Sequence, residues 1–172
     1  MNLYLIRHGE SINPNPQATP NVGLTERGQQ QSLVLARWMR QQITHIHALY
    51  TSPARRAQET AQFLAEAYSC EVIFDEQLQE SVHNQVDASR GRIETFLNQL
   101  IQHHQGERVV IVTHQRTINT FCDILFNVNS QRQCDIRLAY TGVCHFQYLG
   151  PTHREPWQLH YLGRVDHLIN LA

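Results

Sequence analysis

The sequence predicts an α/β fold, a three-layer sandwich in which a mostly parallel central sheet carries helices on both faces. Two runs of large apolar residues, Leu3-Tyr4-Leu5-Ile6 and Val109-Val110-Ile111-Val112, have the length and composition of strands buried on both sides. Segments with helical periodicity alternate with strand-like runs, the pattern of a parallel sheet with crossover helices. There is no internal repeat, low-complexity tract or linker, so residues 1–172 are expected to form a single domain.

In chain order, a strand is expected over residues 2–7, followed by a polar loop containing Asn13, Pro14, Pro16 and Pro20. Thr25 can cap a helix that runs to about Gln41. A strand near 46–51 leads into Ser52-Pro53, where serine as N-cap and proline at the first helical position predict a helix to about Tyr68. Val72-Ile73-Phe74 reads as a short strand, and 76–88 lacks periodicity and reads as a loop. Between about 88 and 104, Ile93, Phe96, Leu97, Leu100, Ile101 and His104 share one helical face. After the strand at Val109–Val112, a helix is expected from Thr117 to Leu125, then strands at Val143–Leu149 and Leu159–Leu162.

Composition narrows the function classes. With 17% charged residues and a net charge of −1, the chain has no global field to attract nucleic acid or an anionic membrane, and neither partner is expected. No run reaches membrane-spanning length, and Met1-Asn2-Leu3 enters a strand without a basic, apolar leader. Cys70, Cys122, Cys134 and Cys144 show no Cys-x-x-Cys spacing, so free thiols and a cytoplasmic location are expected. His45-Ile46-His47 alternates as ligands on one strand face do, but no carboxylate or cysteine is placed to complete a tetrahedral set. No metal or other cofactor is expected. Trp38 and Met39 read as packing residues of an amphipathic helix.

The residues with chemistry follow strands. Arg7-His8-Gly9-Glu10-Ser11 closes the first apolar run, so His8 falls at the carboxyl end of a core strand, where open α/β sheets place their ligands. Arg55 and Arg56 stand in the first turn of a helix, against the preference of the helix dipole for acids there. Thr113-His114-Gln115 puts a second histidine just past a second core strand. One such histidine is usually a cap or loop residue; two, with an arginine beside the first, favour a site. Glu80 is a carboxylate in the aperiodic loop and alone would mean nothing.

Together these residues resemble the histidine phosphatase superfamily, or phosphoglycerate mutase-like family. Arg7-His8-Gly9-Glu10-Ser11 is similar to its signature, and Leu24-Thr25-x-x-Gly28-x-x-Gln31 to its next element. Ser52-Pro53 with Arg56-Ala57-x-x-Thr60-Ala61, Leu78-x-Glu80 and Val112-Thr113-His114 follow in the family's order. The resemblance implies a phosphoglycerate mutase-like fold and metal-independent phosphoryl transfer. His8 would be the nucleophile that becomes phosphohistidine; Arg7, Arg56 and His114 would hold the phosphoryl oxygens; Glu80 would be the proton donor. Ser11, Asn13 and the backbone amide of Gln115 would add donors to the substrate.

The short stretch between Glu80 and His114 lacks the insertion of the family's mutases, which favours a phosphatase of small phosphomonoesters. A phosphatase for phosphohistidine side chains of proteins, a mutase-type phosphotransferase, and a phosphate-binding module without turnover are the alternatives. The oligomeric state is not legible.

Overall fold

The structure, a computed structural model, describes residues 1–12, 21–80, 86–128, 135–169 and 171. Its elements run β1 (Asn2–Arg7), α1 (Glu26–Gln42), β2 (Ala48–Thr51), α2 (Arg55–Tyr68), β3 (Val72–Phe74), α3 (Val86–His103), β4 (Arg108–Thr113), α4 (Gln115–Leu125), β5 (Val143–Tyr148) and β6 (Trp157–Arg164). All six strands join one sheet in the order β3-β2-β4-β1-β5-β6. β1 to β4 are parallel, and β5 and β6 extend the sheet antiparallel. The mostly parallel three-layer sandwich is the fold observed.

The side-chain alternation of β1 shows why the apolar runs specify central strands. Leu3 and Leu5 pack against Phe96 and Leu100 of α3 and Phe121 of α4, whereas Tyr4 and Ile6 face Leu35 and Met39 of α1 and Leu64 of α2. Both faces are covered, so both alternating sets must be apolar. Burying a leucine or isoleucine side chain contributes roughly 1.5–3 kcal/mol, which fixes the register of β1 and β4.

Several boundaries differ from the sequence reading. α2 starts at Arg55, with Ala54 as N-cap and no side-chain cap; the Ser52 hydroxyl stands before the cap, accepting from the Ala54 N–H at 3.3 Å and meeting His114 Nε2. Residues 76–78 form a 3-10 turn inside the expected loop, and α3 begins at Val86. α4 starts two residues before Thr117. His45 and His47 precede β2 instead of lying within a strand, and their rings meet edge to face at 4.7 Å. Cys70 and Cys144 are free thiols, Cys122 is buried, and Cys134 lies outside the described residues. No helix among the described residues is long and apolar enough to cross a membrane.

Candidate active site

β1, β2 and β4 are adjacent and parallel, so the residues that follow them emerge at one edge of the sheet. His8 leaves β1, its N–H donating to the Thr113 carbonyl at 2.9 Å. Ser52 leaves β2, donating from its own N–H to Val112 at 3.0 Å, and His114 leaves β4. Arg56 projects from the first turn of α2 into the same space. Glycine is required where this loop meets α1: a Cβ on Gly9 would lie 2.7 Å from the Gly28 carbonyl, and one on Gly28 would lie 2.0 Å from the Glu10 carbonyl. That close approach explains the pairing of Arg7-His8-Gly9 with Thr25-x-x-Gly28.

The two imidazoles are buried, their centroids 5.2 Å apart, and Arg56 bridges them. Arg56 Nε donates to His8 Nε2 at 3.2 Å, and Nη2 meets His114 Nδ1 at 3.1 Å. The other nitrogen of His8, Nδ1, lies 2.7 Å from the Gly9 carbonyl, which can only accept. Nδ1 therefore carries the proton, and Nε2 keeps its lone pair toward the site. By the same logic, His114 receives Arg56 at Nδ1 and donates from Nε2 to Ser52 Oγ, 2.8 Å away.

Charge and burial hold both rings neutral. Desolvation, then the positive charges of Arg56 and Arg7, push His8 down to about 3, against the opposing pull of the Gly9 carbonyl. His114 is driven well below the ordinary histidine value by burial, then by His8, Arg56 and Arg7. Glu80 Oε2 lies 3.5 Å from Arg56 Nη2 and 3.3 Å from His114 Nδ1. Burial raises its pKa above the ordinary carboxyl value, against the opposing effects of Arg56 and Arg116.

Arg7 reaches the site from the side. Its Nη1 donates to Gln115 Oε1 at 3.0 Å and to the Leu138 carbonyl, while its guanidinium lies 4.0 Å over the Tyr140 ring. Arg7 Nε and Arg56 Nη1 are buried without a hydrogen-bond partner among the described residues. Among the described residues, two unpaired cationic donors thus stand beside an unprotonated imidazole nitrogen, an arrangement able to receive an oxyanion.

Of the residues anticipated from sequence, Arg7, His8, Arg56, Glu80 and His114 are brought together. Ser11 is buried and bridges to Leu24 through its backbone. Gln115 opens α4, so its amide belongs to the helix end without internal acceptors, and its side chain holds Arg7. Asn13 lies outside the described residues. The sequence reading missed Ser52 as the partner of His114, Tyr140 beneath Arg7, and Thr60, whose Oγ1 receives the Gly9 N–H at 3.0 Å. Ser52-Pro53 carried a signal that was read as a cap; Tyr140 had none.

The donor atoms of His8, Glu80 and His114 lie within 4.8 Å of one another, close enough in principle for a cation. Arg56 contacts all three, so a fixed positive charge already stands where a metal ion would have to sit. The set does not fit a metal centre.

The family model of the histidine phosphatase superfamily (branch 1) matches residues 3–87 and 83–160. A probable phosphoglycerate mutase GpmB from an Enterobacter species is 23% identical over 207 aligned residues, covering 98% of this chain and 95% of that protein. Its counterpart from Serratia proteamaculans is 40% identical over 84 residues, 46% of this chain and 38% of the relative. Phosphoserine phosphatase from Entamoeba histolytica, solved with 3-phosphoglyceric acid, aligns with a TM-score of 0.79 at 20% identity, covering 98% and 99% of the two chains. A mycobacterial glucosyl-3-phosphoglycerate phosphatase, solved with inorganic phosphate, gives 0.76 at 17% identity, covering 96% and 98%. The structural likenesses show a shared fold. With the family model matched over most of its length, the chain belongs to the histidine phosphatase superfamily, branch 1, as a histidine-dependent phosphatase.

Proposed function

We propose that the protein hydrolyses small phosphomonoesters through a phosphohistidine formed on His8 Nε2. The observation that carries this reading is a pair of buried donors without a partner among the described residues, Arg7 Nε and Arg56 Nη1, beside an imidazole whose reactive nitrogen is unprotonated. A phosphoryl group supplies the acceptors those donors lack, and phosphoryl transfer depends mainly on positioning and charge neutralisation. As the ester binds, Arg56 exchanges its bond to His8 Nε2 for phosphoryl oxygens and frees the lone pair. His8 attacks phosphorus, and the bond from phosphorus to the ester oxygen breaks.

The departing oxygen takes a proton from Glu80. The Glu80 carboxyl, beside Arg56 and His114 and with its pKa raised by burial, stands at the edge of the same site. In the second step water attacks the phosphohistidine, Glu80 takes the water's proton, and the bond from phosphorus to nitrogen breaks. His8 returns to its neutral form with Nδ1–H still on the Gly9 carbonyl.

Hydrolysis is favoured over mutase chemistry because little beyond α3 and β4 separates Glu80 from His114. A mutase must retain a bisphosphorylated intermediate while it turns, which needs further cations and cover. The relatives named as phosphoglycerate mutases keep transfer to a second hydroxyl as the other reading. The small esters bound by the structural neighbours, phosphoserine and 3-phosphoglyceric acid, set the substrate class to test first.

The test is release of phosphate from p-nitrophenyl phosphate and a panel of phosphorylated metabolites, comparing wild type with His8→Ala. Turnover by the wild type alone is expected. A wild type that binds inorganic phosphate but never turns over would make the protein a binding module instead.

A further inference from the structure

Arg7 is held by a part of the chain remote in sequence, the turn at 138–142 that leads into β5. The Leu138 carbonyl and the Tyr140 ring contact its guanidinium, and its own N–H donates to the Gly142 carbonyl at 3.2 Å. Thr141 N–H donates to the carbonyls of both Arg7 and His8, at 3.0 and 3.3 Å. Thr141 adopts φ +57°, a left-handed conformation that a β-branched residue takes up only under constraint. That constraint is visible: its hydroxyl meets His167 Nε2 at 2.9 Å, in a buried contact from the segment after β6. The turn is thus fixed on both sides.

Tyr140 stands apart from the core packing of the described residues. It belongs to neither apolar cluster; its ring faces Arg7 and lies 5.8 Å from the His8 ring. With Nη1 committed to Gln115 and Leu138, and Nε buried without a partner among the described residues, the edge of Arg7 that suits two oxygens of one phosphoryl group is the parallel Nε–H and Nη2–H pair. The direction of that edge depends on the plane of the guanidinium, which the aromatic face beneath it and the two bonds of Nη1 together restrict.

We propose that Tyr140 is a positioning residue, its ring stacked on Arg7 to aim the Nε and Nη2 donors at the phosphoryl group. The inference rests on the phosphatase reading and adds to it a residue that acts on substrate through Arg7.

The experiment is a double-mutant cycle, reading inorganic phosphate affinity by calorimetry and kcat/KM for p-nitrophenyl phosphate. Tyr140→Leu should weaken both about tenfold in the wild-type background, the size of a desolvated cation–π contact. Tyr140→Phe, which keeps the ring and removes only the hydroxyl that also reaches Arg7, should recover most of that loss. In an Arg7→Ala background, Tyr140→Leu should change either quantity by less than about twofold. Tyr140→Gln replaces the leucine variant if that one does not fold. An equal loss in both backgrounds would make Tyr140 a general structural residue and overturn the inference, as would an unchanged Tyr140→Leu in an active enzyme. A wild type that neither binds phosphate nor turns over the ester would remove the phosphatase reading together with it.

Discussion

His104 and His114 flank β4 at opposite ends, and their neighbours differ in kind. At the amino end, His104 Nδ1 lies 2.6 Å from Glu107 Oε2, and Nε2 lies 2.9 Å from the Tyr50 hydroxyl, so both nitrogens have ordinary partners. At the carboxyl end, His114 and His8 share a cationic neighbour, Arg56, and two guanidinium N–H groups nearby have no acceptor among the described residues. A chain with eleven histidines thus keeps most of the functional signal in two of them. Burial with compensation marks a structural histidine; burial among cations marks a place where the missing negative charge arrives with a ligand.

The contrast breaks most readily by substitution at each end. His8→Ala should lower turnover of p-nitrophenyl phosphate by roughly 10⁴–10⁶-fold, as loss of a nucleophile does. Steady-state phosphate release checks this, and a loss below a hundredfold would place the chemistry elsewhere. Arg56→Ala should cost about 10³-fold, because it removes charge from the transferring group and the bridge between the two imidazoles. Phosphate titration of the same variant should show weakened binding.

Glu80→Gln sharpens the acid–base assignment. On alkyl phosphates its loss should be about a hundredfold, and on p-nitrophenyl phosphate much less, because a good leaving group departs without a proton. Its pH profile separates it from the arginines. Glu80 must be protonated to act as acid, so activity on alkyl esters should fall as pH rises through its raised pKa, and the glutamine variant should lose that limb. No acid limb should appear near 6.5, since His8 stays neutral down to about 3.

The same two rings contribute to acid stability, beside His145 and His167, whose pKa values burial lowers to about 4. Their folded pKa values lie below the unfolded value of 6.5, so the unfolded chain binds more protons as pH falls below that point. Their stabilising contribution is complete above pH 6.5 and declines toward pH 3, which denaturant melts across that range will show. The smallest effect is expected at the other end of β4. His104→Ala should cost about 1 kcal/mol of stability through its lost hydrogen bonds and leave kcat/KM unchanged.

What the sequence made legible follows from how local each cause is. β1 and β4 were readable because two-sided burial writes itself as an unbroken apolar run, and His8 and His114 because each follows such a run. Ser52 reads as a cap because serine before proline usually caps a helix; here its hydroxyl accepts from Ala54 N–H ahead of the cap and also serves His114, 62 positions away. Strand β3 was found from its apolar triplet, although Phe74 proves 57% exposed on an edge strand. Tyr140 and Thr141 were illegible. Their partners, Arg7 and His8, meet them only when β5 pairs with β1, and no periodicity in the preceding segment announces that pairing.

The most direct test of the whole account is a chemical trap. Wild-type protein turning over a phosphomonoester is quenched in alkali, where phosphohistidine survives, and its peptides are analysed by mass spectrometry before and after acid treatment. The account predicts one phosphoryl group on His8, lost in acid and absent from His8→Ala. An active enzyme with no trapped group, or with the label on Ser11 or His114, would contradict it.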